Sequence, residues 1–441
     1  MKTKIRKILN LSSIILFIPG IVSAQEVLAP QDAVAIGLKN NYSINIAKNS
    51  KEIAENNASL GNAGVLPTLD ATGSTSKSVS NTSQKYSNGA SIDVNGVDSK
   101  NYAAGINLNW TIFDGLKMFA SLDQLKELKK VGESNYKLTV EQNINDILST
   151  YYDIVRQKQV LESTQRSVAI SEERLKITQS QKDVGSASKF DVLRAQVDLN
   201  GDKSSLMNQE LTLQQAKTKL NQLLGRDVKT EFDVIDTIDV KTDLSYDDLF
   251  SVTLQNNNQI VLARQNKNVA ESQLKLERGD LLPVISLNLG YNYSRSESGA
   301  GFFISSNTTG ITYGISASLN LFNGLNTKRR IENAEVSIES SELAFKQIQD
   351  QIKANFENTF LKYKNSLQLV KLESENYNAA EENADIALEK LKVGSITPVD
   401  FRQVQLDLMN AKSRLLSAEY DAKTSETDLL QISGQLVKSS D

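Results

Sequence analysis

Two aspartates, Asp191 and Asp400, end two nearly identical short segments, DVGSASKFD (183–191) and KVGSITPVD (392–400). A carboxylate can accept hydrogen bonds at the start of a helix, or it can place negative charge where another molecule binds. Each segment interrupts a long stretch with helical periodicity. The two aspartates are therefore the first candidates for functional chemistry in this chain.

The residues around these aspartates predict a tight turn between two helices. Gly185 and Gly394 stand where a helix C-terminus needs a left-handed residue, and Ser188 and Thr397 stand where the next helix begins. The aspartate three residues later completes a capping box, and Pro398 takes the first helical position, where a missing N–H costs nothing. Each segment thus predicts a hairpin tip, and capping is the simpler role of both aspartates. A tip at the end of a rod is also where another protein would make contact.

A second acidic group precedes the second tip by about one helical turn. Its members are Glu381, Glu382, Asp385 and Glu389. Such a run is ordinarily a solvated helix face. If the helix lines a tube formed by several subunits, the same residues form an acidic ring that favours cations and repels anions.

The chain contains no histidine and no cysteine. The usual zinc ligands and the Ser-His and Cys-His nucleophile pairs are therefore absent from the sequence, and we expect no cofactor and no metal site. An enzyme would have to use carboxylates or lysines, and no acidic pair stands in a recognisable catalytic setting, so the sequence predicts a protein that is not an enzyme.

Residues 1–24 have the pattern of a secretory signal peptide, with four basic residues before an apolar run and a Val-Ser-Ala end. A membrane anchor is the alternative, but the run is short and Pro19-Gly20 breaks it. The leader holds four of the 49 basic residues and none of the 53 acidic ones, so the rest of the chain has a net charge of −8. This balance predicts no nucleic-acid partner. No later window of about 18 residues is apolar throughout, so membrane insertion would require strands.

The rest of the chain is a tandem duplication. Landmarks of the first half that precede the strands recur 216 residues later. Landmarks that follow the strands recur 209 residues later. Examples are Leu66-Pro67 with Leu282-Pro283, and Phe113-Asp114-Gly115 with Phe322-Asn323-Gly324. The predicted division is a first repeat at 25–225, a linker at 226–243, a second repeat at 244–434 and a short tail at 435–441.

Each repeat has the same internal plan. A helical segment, 30–64 or 245–281, contains an asparagine pair that predicts a break. A β-hairpin follows at 66–114 or 282–323, in which apolar and small polar residues alternate with a period of two, as in 104–112, 285–293 and 311–321. Polar loops are expected at 81–100 and 295–310.

Two long helices complete each repeat, at 115–225 and 324–434. They contain almost no Pro or Gly apart from the tip segment, and their apolar residues recur at helical spacing, which predicts an antiparallel coiled-coil hairpin. Strands with one apolar face and one polar face are typical of an outer-membrane barrel, although alternation alone also fits a soluble sandwich.

In this order, repeated twice, the landmarks resemble the TolC-like outer-membrane efflux proteins. The resemblance covers about residues 28–434 and is carried by the asparagine pairs, the Val-Leu-Pro and Leu-Leu-Pro segments, the Phe-x-Gly segments and both Val-Gly tips. It implies a mixed α and β membrane protein with a tandem duplicated TolC-like fold. Each chain of a homotrimer would supply four long helical segments to a periplasmic α-barrel and four strands to a shared twelve-stranded outer-membrane β-barrel.

The resemblance also implies a mechanism and partners. The protein would be a passive export duct of a tripartite efflux or type I secretion system, closed at its periplasmic tips, with Asp191 in the gate and Asp385, near Glu389, at an acidic constriction. Residues 226–243 would form an equatorial collar. The partners would be outer-membrane lipid, a periplasmic adaptor (membrane fusion) protein docking on the tips, and an inner-membrane transporter of the RND, ABC or MFS type.

Two other classes compete with a channel. A periplasmic adaptor also has a coiled-coil hairpin, but it should contain one hairpin within small β domains rather than two in tandem. A secreted structural coiled coil would not need alternating strands between its helices.

Overall fold

The computed structural model describes residues 27–300 and 303–436. The predicted signal peptide and the last five residues of the predicted tail lie outside the described residues. The elements, in chain order, are β1 (Val27–Leu28), α1 (Pro30–Asn40), α2 (Tyr42–Asn57), β2 (Thr68–Lys85), β3 (Ser91–Phe113), α3 (Lys117–Asp183), α4 (Lys189–Leu223), β4 (Asp233–Val234), α5 (Tyr246–Asn256), α6 (Asn258–Gly279), β5 (Val284–Ser298), β6 (Ser305–Ser318), α7 (Asn326–Lys392) and α8 (Pro398–Ile432).

The tandem repeat is confirmed by the helix boundaries. Helices α3 and α7 have 67 residues each, α4 and α8 have 35 each, and all four start and end at a constant offset of 209 residues. At 1.5 Å per residue α3 and α7 extend about 100 Å. They run antiparallel to α4 and α8 and form the two predicted helical hairpins.

The predicted asparagine breaks are also confirmed. The side chain of Asn41 accepts hydrogen bonds from the backbone N–H groups of Ser43 and Ile44 and so caps α2. Asn257 caps α6 in the same way. An asparagine that caps one helix therefore separates it from the helix before it, because its own backbone is not helical there.

The four long strands form one antiparallel sheet in the order β2-β3-β5-β6. Ile106 pairs with Tyr291, which pairs in turn with Ile311. Two residues further along β3, the same alignment joins Leu108, Leu289 and Tyr313. The rows between them are small and polar. This register confirms the predicted alternation, with one apolar and one polar face on the sheet.

The predicted loops, 81–100 and 295–310, were too long. Strand β2 continues to Lys85 and β3 begins at Ser91, while β5 continues to Ser298 and β6 begins at Ser305. The prediction failed because it followed apolar side chains. Backbone pairing continues through the Ser-, Thr- and Asn-rich segments, since strand hydrogen bonds do not require an apolar face. At its other end β6 stops at Ser318, three residues before the predicted 321.

The helices pack side by side in a single row, and the order of the row differs between the half near the sheet and the half toward the tips. Near the sheet the order of contact is α2-α3-α6-α7, and toward the tips it is α4-α3-α8-α7. The outer elements of the described chain are therefore β2, α2 and α4 on one side and β6 and α7 on the other. Their free faces carry apolar side chains that are at least half exposed, among them Ile46, Ile53, Leu193, Val336 and Leu343.

The linker between the repeats is bound to the middle of α3. Strand β4 of the linker pairs with β1 in parallel. The buried hydroxyl of Tyr151 donates to the backbone O of Leu28 at 2.6 Å and accepts from the backbone N of Ile235 at 3.2 Å. None of the helices within the described residues is both long and apolar enough to cross a membrane.

Candidate functional site

Both predicted hairpin tips have the expected geometry. Gly185 and Gly394 adopt φ values of 80° and 73°, in the left-handed region that favours glycine. Ser188 and Thr397 cap the following helices, and both capping boxes are complete. Pro398 stands at the start of α8, as predicted.

Asp191 is held in place by the cap. Its Oδ2 accepts from the Ser188 backbone N at 2.9 Å and from the Ser188 hydroxyl at 2.7 Å. These hydrogen bonds lower the pKa of Asp191 below its ordinary value, because they stabilise the charged form. In the second tip, Asp400 accepts from the hydroxyl of Thr397 at 2.7 Å. The capping role of both aspartates is thus visible, and a role of Asp191 in a gate stays a prediction.

The acidic residues before the second tip are only partly free. Asp385 is exposed on α7, whereas Glu389 pairs with Lys392 at 2.9 Å. Glu381 accepts from the Tyr377 hydroxyl at 2.7 Å and pairs with Arg166 of α3 at 3.3 Å. Burial, together with this bond to Glu381, raises the pKa of Tyr377 to about 12. An acidic ring at this level stays a prediction, and Asp385 is its better candidate because Glu389 is paired with Lys392.

A buried polar cluster that the sequence analysis did not find joins the two helical hairpins. We call it the inter-hairpin cluster. Its members are Ser167, Ser171 and Arg174 on α3, Asp198 and Asp202 on α4, and Arg402 and Gln405 on α8. Arg174, Gln405 and Asp202 are 1%, 2% and 5% exposed. At 3.6 residues per turn, the cluster lies about two to three helical turns from the second tip and about three to five turns from the first.

The strongest bond of the cluster connects the two repeats. Arg402 donates to both oxygens of Asp202, at 2.7 and 2.8 Å, in a bidentate ion pair. Gln405 donates to the hydroxyls of Ser167 and Ser171, both at 2.9 Å. Side chains from residues more than 190 positions apart therefore lock α8 against α3 and α4.

The second arginine of the cluster remains within the first hairpin. Arg174 donates to Asp198 at 2.7 Å, and its Nε has no hydrogen-bond partner. Burial lowers the pKa of Arg174, whereas the bond to Asp202 raises that of Arg402. The charge of Arg174 is thus less stabilised than that of Arg402, because its hydrogen bonds offset less of the cost of its desolvation.

The signal for this cluster was a difference between the repeats. At the offset of 209 residues, Asp202 corresponds to Ala411 and Arg402 to Leu193. The acidic residue thus lies in the first copy and the basic residue in the second. At each of the two positions, the other copy has an apolar residue. Comparing the copies for what they do not share would have suggested that the two side chains pair.

An apolar cluster supports the same contact nearer the tips. Leu391 and Phe401 are buried there and pack with Ile170 and Ile177 of α3. In addition, Gln181 of α3 donates to the backbone O of Leu391 at 3.3 Å.

Two long helical hairpins and a four-stranded antiparallel sheet with free edges define a class of protein, a mixed α and β chain whose outer elements within the described residues lack neighbours. Comparison with known proteins identifies the family. The profile described as "Outer membrane efflux protein" matches residues 36–226 and 249–435, once for each repeat. The chain therefore belongs to the outer membrane efflux protein family, and it is an efflux channel of the outer membrane.

Individual relatives agree with this assignment. The chain is 25% identical over 350 residues to the outer membrane protein TolC of Vibrio cholerae, covering 76% of this chain and 77% of that protein. It is 20% identical over 334 residues to the outer membrane efflux protein BepC of Brucella suis, covering 75% and 72%. Among solved structures, the CmeC outer membrane channel of Campylobacter jejuni superposes with a TM-score of 0.78 at 16% identity, covering 92% of this chain and 86% of that one. VceC of Vibrio cholerae gives 0.75 at 15% identity, covering 92% and 96%.

Proposed function

We propose that three copies of this chain form a passive export duct whose inner end is closed by the helical tips. The observation that supports it is the free edge at every level of the described chain. Strands β2 and β6 are the edges of the sheet. Helices α2 and α7 are the ends of the helical row near the sheet, and α4 and α7 are the ends of the row toward the tips. Unpaired strand edges within a membrane are not tolerated, because each free N–H and C=O there costs several kcal/mol.

A ring of identical chains removes all of these edges at once. The free elements of one side belong to the first repeat and those of the other side to the second, so the contact is head-to-tail and must close by rotation. Two chains would give eight strands, whose interior is filled by side chains. Three chains give twelve strands and leave a lumen, which an export duct requires.

The polar face of the sheet suits a water-filled lumen of low selectivity. The lumen side would present small or amide side chains such as Asn107, Asn109, Asn288 and Thr312, which alternate with the apolar face that meets outer-membrane lipid. Within 27–300 and 303–436, no group of three or more acidic side chains is arranged so that it could hold a metal ion. The proposed duct is passive, so the energy for export would come from a partner.

The tips would be the contact for that partner. Val184 and Val393 precede the tip glycines and are 81% and 78% exposed, and Phe190 is 68% exposed. Together with Ser188, Thr397 and Pro398 they form a surface that a periplasmic adaptor protein can cover. The adaptor would join the duct to an inner-membrane transporter of the RND, ABC or MFS type.

The experiment is to purify the chain from residue 25 in detergent, measure its subunit number, and record conductance in planar bilayers. We expect trimers and long-lived channels. Replacing Asp191 by alanine should give larger or more frequent openings if this carboxylate acts in the gate. Asp400→Ala is the matched control, because it removes the equivalent cap from the other tip, and Asp385→Ala should change cation preference. A folded protein that runs as a soluble rod and gives no channels would refute the duct.

A further inference from the structure

Five charged residues lie close together on the apolar face of the sheet, at the end away from the helices. They are Lys77, Asp98, Lys100, Arg295 and Glu297, and the strand register aligns all of them with the face that carries Ile106 and Tyr291. The polar face is neutral at the same level. One of its rows is Ser76, Asn101, Ser296 and Ser306, and the next is Ser78, Ser99 and Ser298. The charges therefore stand on the side that meets lipid and not on the side that would meet water in a lumen.

The charged group lies at the outer border of the apolar band. Trp110 marks the border near the helices, where its indole N–H donates to the backbone O of Val65 at 3.0 Å. Lys100 is ten positions from Trp110 along β3. At about 3.3 Å per residue and a tilt of about 40°, this distance corresponds to a height of about 25 Å, the height of the apolar band of an outer-membrane barrel. Because the helices extend from the inner end of the sheet, Lys100 is at the level of the outer lipid headgroups.

Two tyrosines support this level. Tyr102 and Tyr293 lie on the apolar face and are 40% and 39% exposed. Tyr102 pairs with Arg295, and Tyr293 is two residues closer to the apolar band on β5. Tyrosine is enriched where hydrocarbon meets the polar headgroups. The face thus changes in order from apolar residues to tyrosines and then to charges, as the membrane itself does.

The basic side chains are not fully neutralised within the chain. Lys77 and Lys100 are directly opposite each other on β2 and β3, and like charges in this arrangement are destabilising. Lys77 pairs with Asp98 at 3.2 Å, and Glu297, which is opposite Lys100 on β5, pairs with Arg295 at 2.6 Å. Among residues 27–300 and 303–436, Lys100 has no acidic partner. An anion between the two lysines would remove their repulsion.

We infer that Lys77, Lys100 and Arg295 bind the phosphate groups of a lipid of the outer leaflet, whose acyl chains lie along the apolar face. A lipid places its anionic group at this level and its apolar chains on the band beside it. Phosphate oxygens accept the charge-assisted hydrogen bonds that ammonium and guanidinium groups donate. The inference rests on one part of the proposed function, the contact of the apolar face with lipid. The site is complete in a single chain, so it does not depend on the ring.

Binding to lipid phosphates can be measured on the detergent-purified chain from residue 25 by native mass spectrometry. The probe is lipid A that carries two phosphates, and lipid A without phosphates is the matched ligand control. Lys77→Gln with Lys100→Gln is the test variant, and Lys77→Arg with Lys100→Arg keeps both charges. Lys85→Gln is the matched protein control, because Lys85 is an exposed lysine of the same strand, eight positions further from the membrane.

We expect the wild type to bind the phosphorylated lipid about tenfold or more tightly than the lipid without phosphates. The double glutamine variant should lose about 25-fold in affinity for the phosphorylated lipid, because each lysine near an anionic lipid surface contributes roughly fivefold. The double arginine variant and Lys85→Gln should bind as the wild type does. Circular dichroism checks that the variants are folded, and the comparison of the two lipids on the wild type decides the inference even if the glutamine variant does not fold.

The opposite outcomes are equally distinct. Equal affinity for the two lipids, an unchanged affinity in the folded glutamine variant, or an equal loss in Lys85→Gln overturns the inference. Displacement of the lipid by millimolar inorganic phosphate also overturns it, since the site would then select free phosphate and not a lipid. A protein that conducts in bilayers but does not distinguish the two lipids retains the duct alone. A protein that selects the phosphorylated lipid but never conducts contradicts the proposed function and leaves this lipid site standing.

Discussion

Replacing Arg402 by leucine should destabilise the contact between the two hairpins by about 3 kcal/mol. The substitution leaves Asp202, whose side chain is 7% exposed, without its bidentate partner. Loss of one member of a fully buried pair costs roughly 3–5 kcal/mol, and loss of an exposed pair about 0–1 kcal/mol. The Arg402 side chain is 18% exposed, so the lower end of the buried range applies.

A double-mutant cycle measures this contribution. The variants are Arg402→Leu, Asp202→Ala and the double variant, which has the residues found at the equivalent positions of the other copy. Thermal unfolding followed by helical circular dichroism, at one fixed protein concentration, gives the change in unfolding free energy of each. We expect the double variant to cost clearly less than the sum of the singles, because removing both partners leaves neither charge buried alone.

Additive costs would refute the reasoning. They would mean that the two charges do not stabilise each other in the folded chain, despite distances of 2.7 and 2.8 Å. A matched exposed pair provides the reference. Lys203 and Glu172 connect α4 to α3 at 2.9 Å with both side chains nearly half exposed, and the same cycle there should give a coupling of about 1 kcal/mol or less.

Three further predictions concern local structure and pH. Gly394→Ala should cost about 1–2 kcal/mol in thermal unfolding because φ is 73°, whereas Gly201→Ala, inside α4 with open space around it, should stabilise by about 0.5–1 kcal/mol. Asn257→Ala removes the cap of α6 and should cost about 1–2 kcal/mol, measured in the same way. Burial raises the pKa of Glu141 above 4.5, so stability should fall as pH rises from 4.5 through the folded pKa. Glu141→Gln keeps an acceptor for Asn258, and its unfolding curves should show higher stability at neutral pH and a weaker dependence on pH in this range.

The hairpin tips could be predicted in detail because their signals are local. A left-handed glycine, a capping hydroxyl and an aspartate at a fixed spacing determine one turn of backbone, and all three are visible in the sequence. The duplication strengthened the prediction, since Gly185 and Gly394 each appear in the same setting. The strand ends near Lys85 and Ser305 were missed for the opposite reason, because pairing there depends on a neighbouring strand rather than on apolar residues.

The inter-hairpin cluster is a tertiary property. Asp202 and Arg402 are 200 positions apart, and neither stands in a motif. Only the packing of α8 beside α3 brings them together and removes them from water. Helix periodicity shows which face of α4 or α8 is polar, but it does not tell a solvated carboxylate from one that is buried with an arginine.

The order of the sheet has a consequence for folding kinetics. Strand β3 pairs with β5, so that Ser99 meets Ser298, and the strands of the first repeat lack this neighbour until the chain has been synthesised and exported as far as β5. Contacts between such distant positions are slow to form, because a long loop must close first. During that delay β2 and β3 expose strand edges and an apolar face, which favour aggregation. The free edge of β3 is therefore protected only once β5 has paired with it.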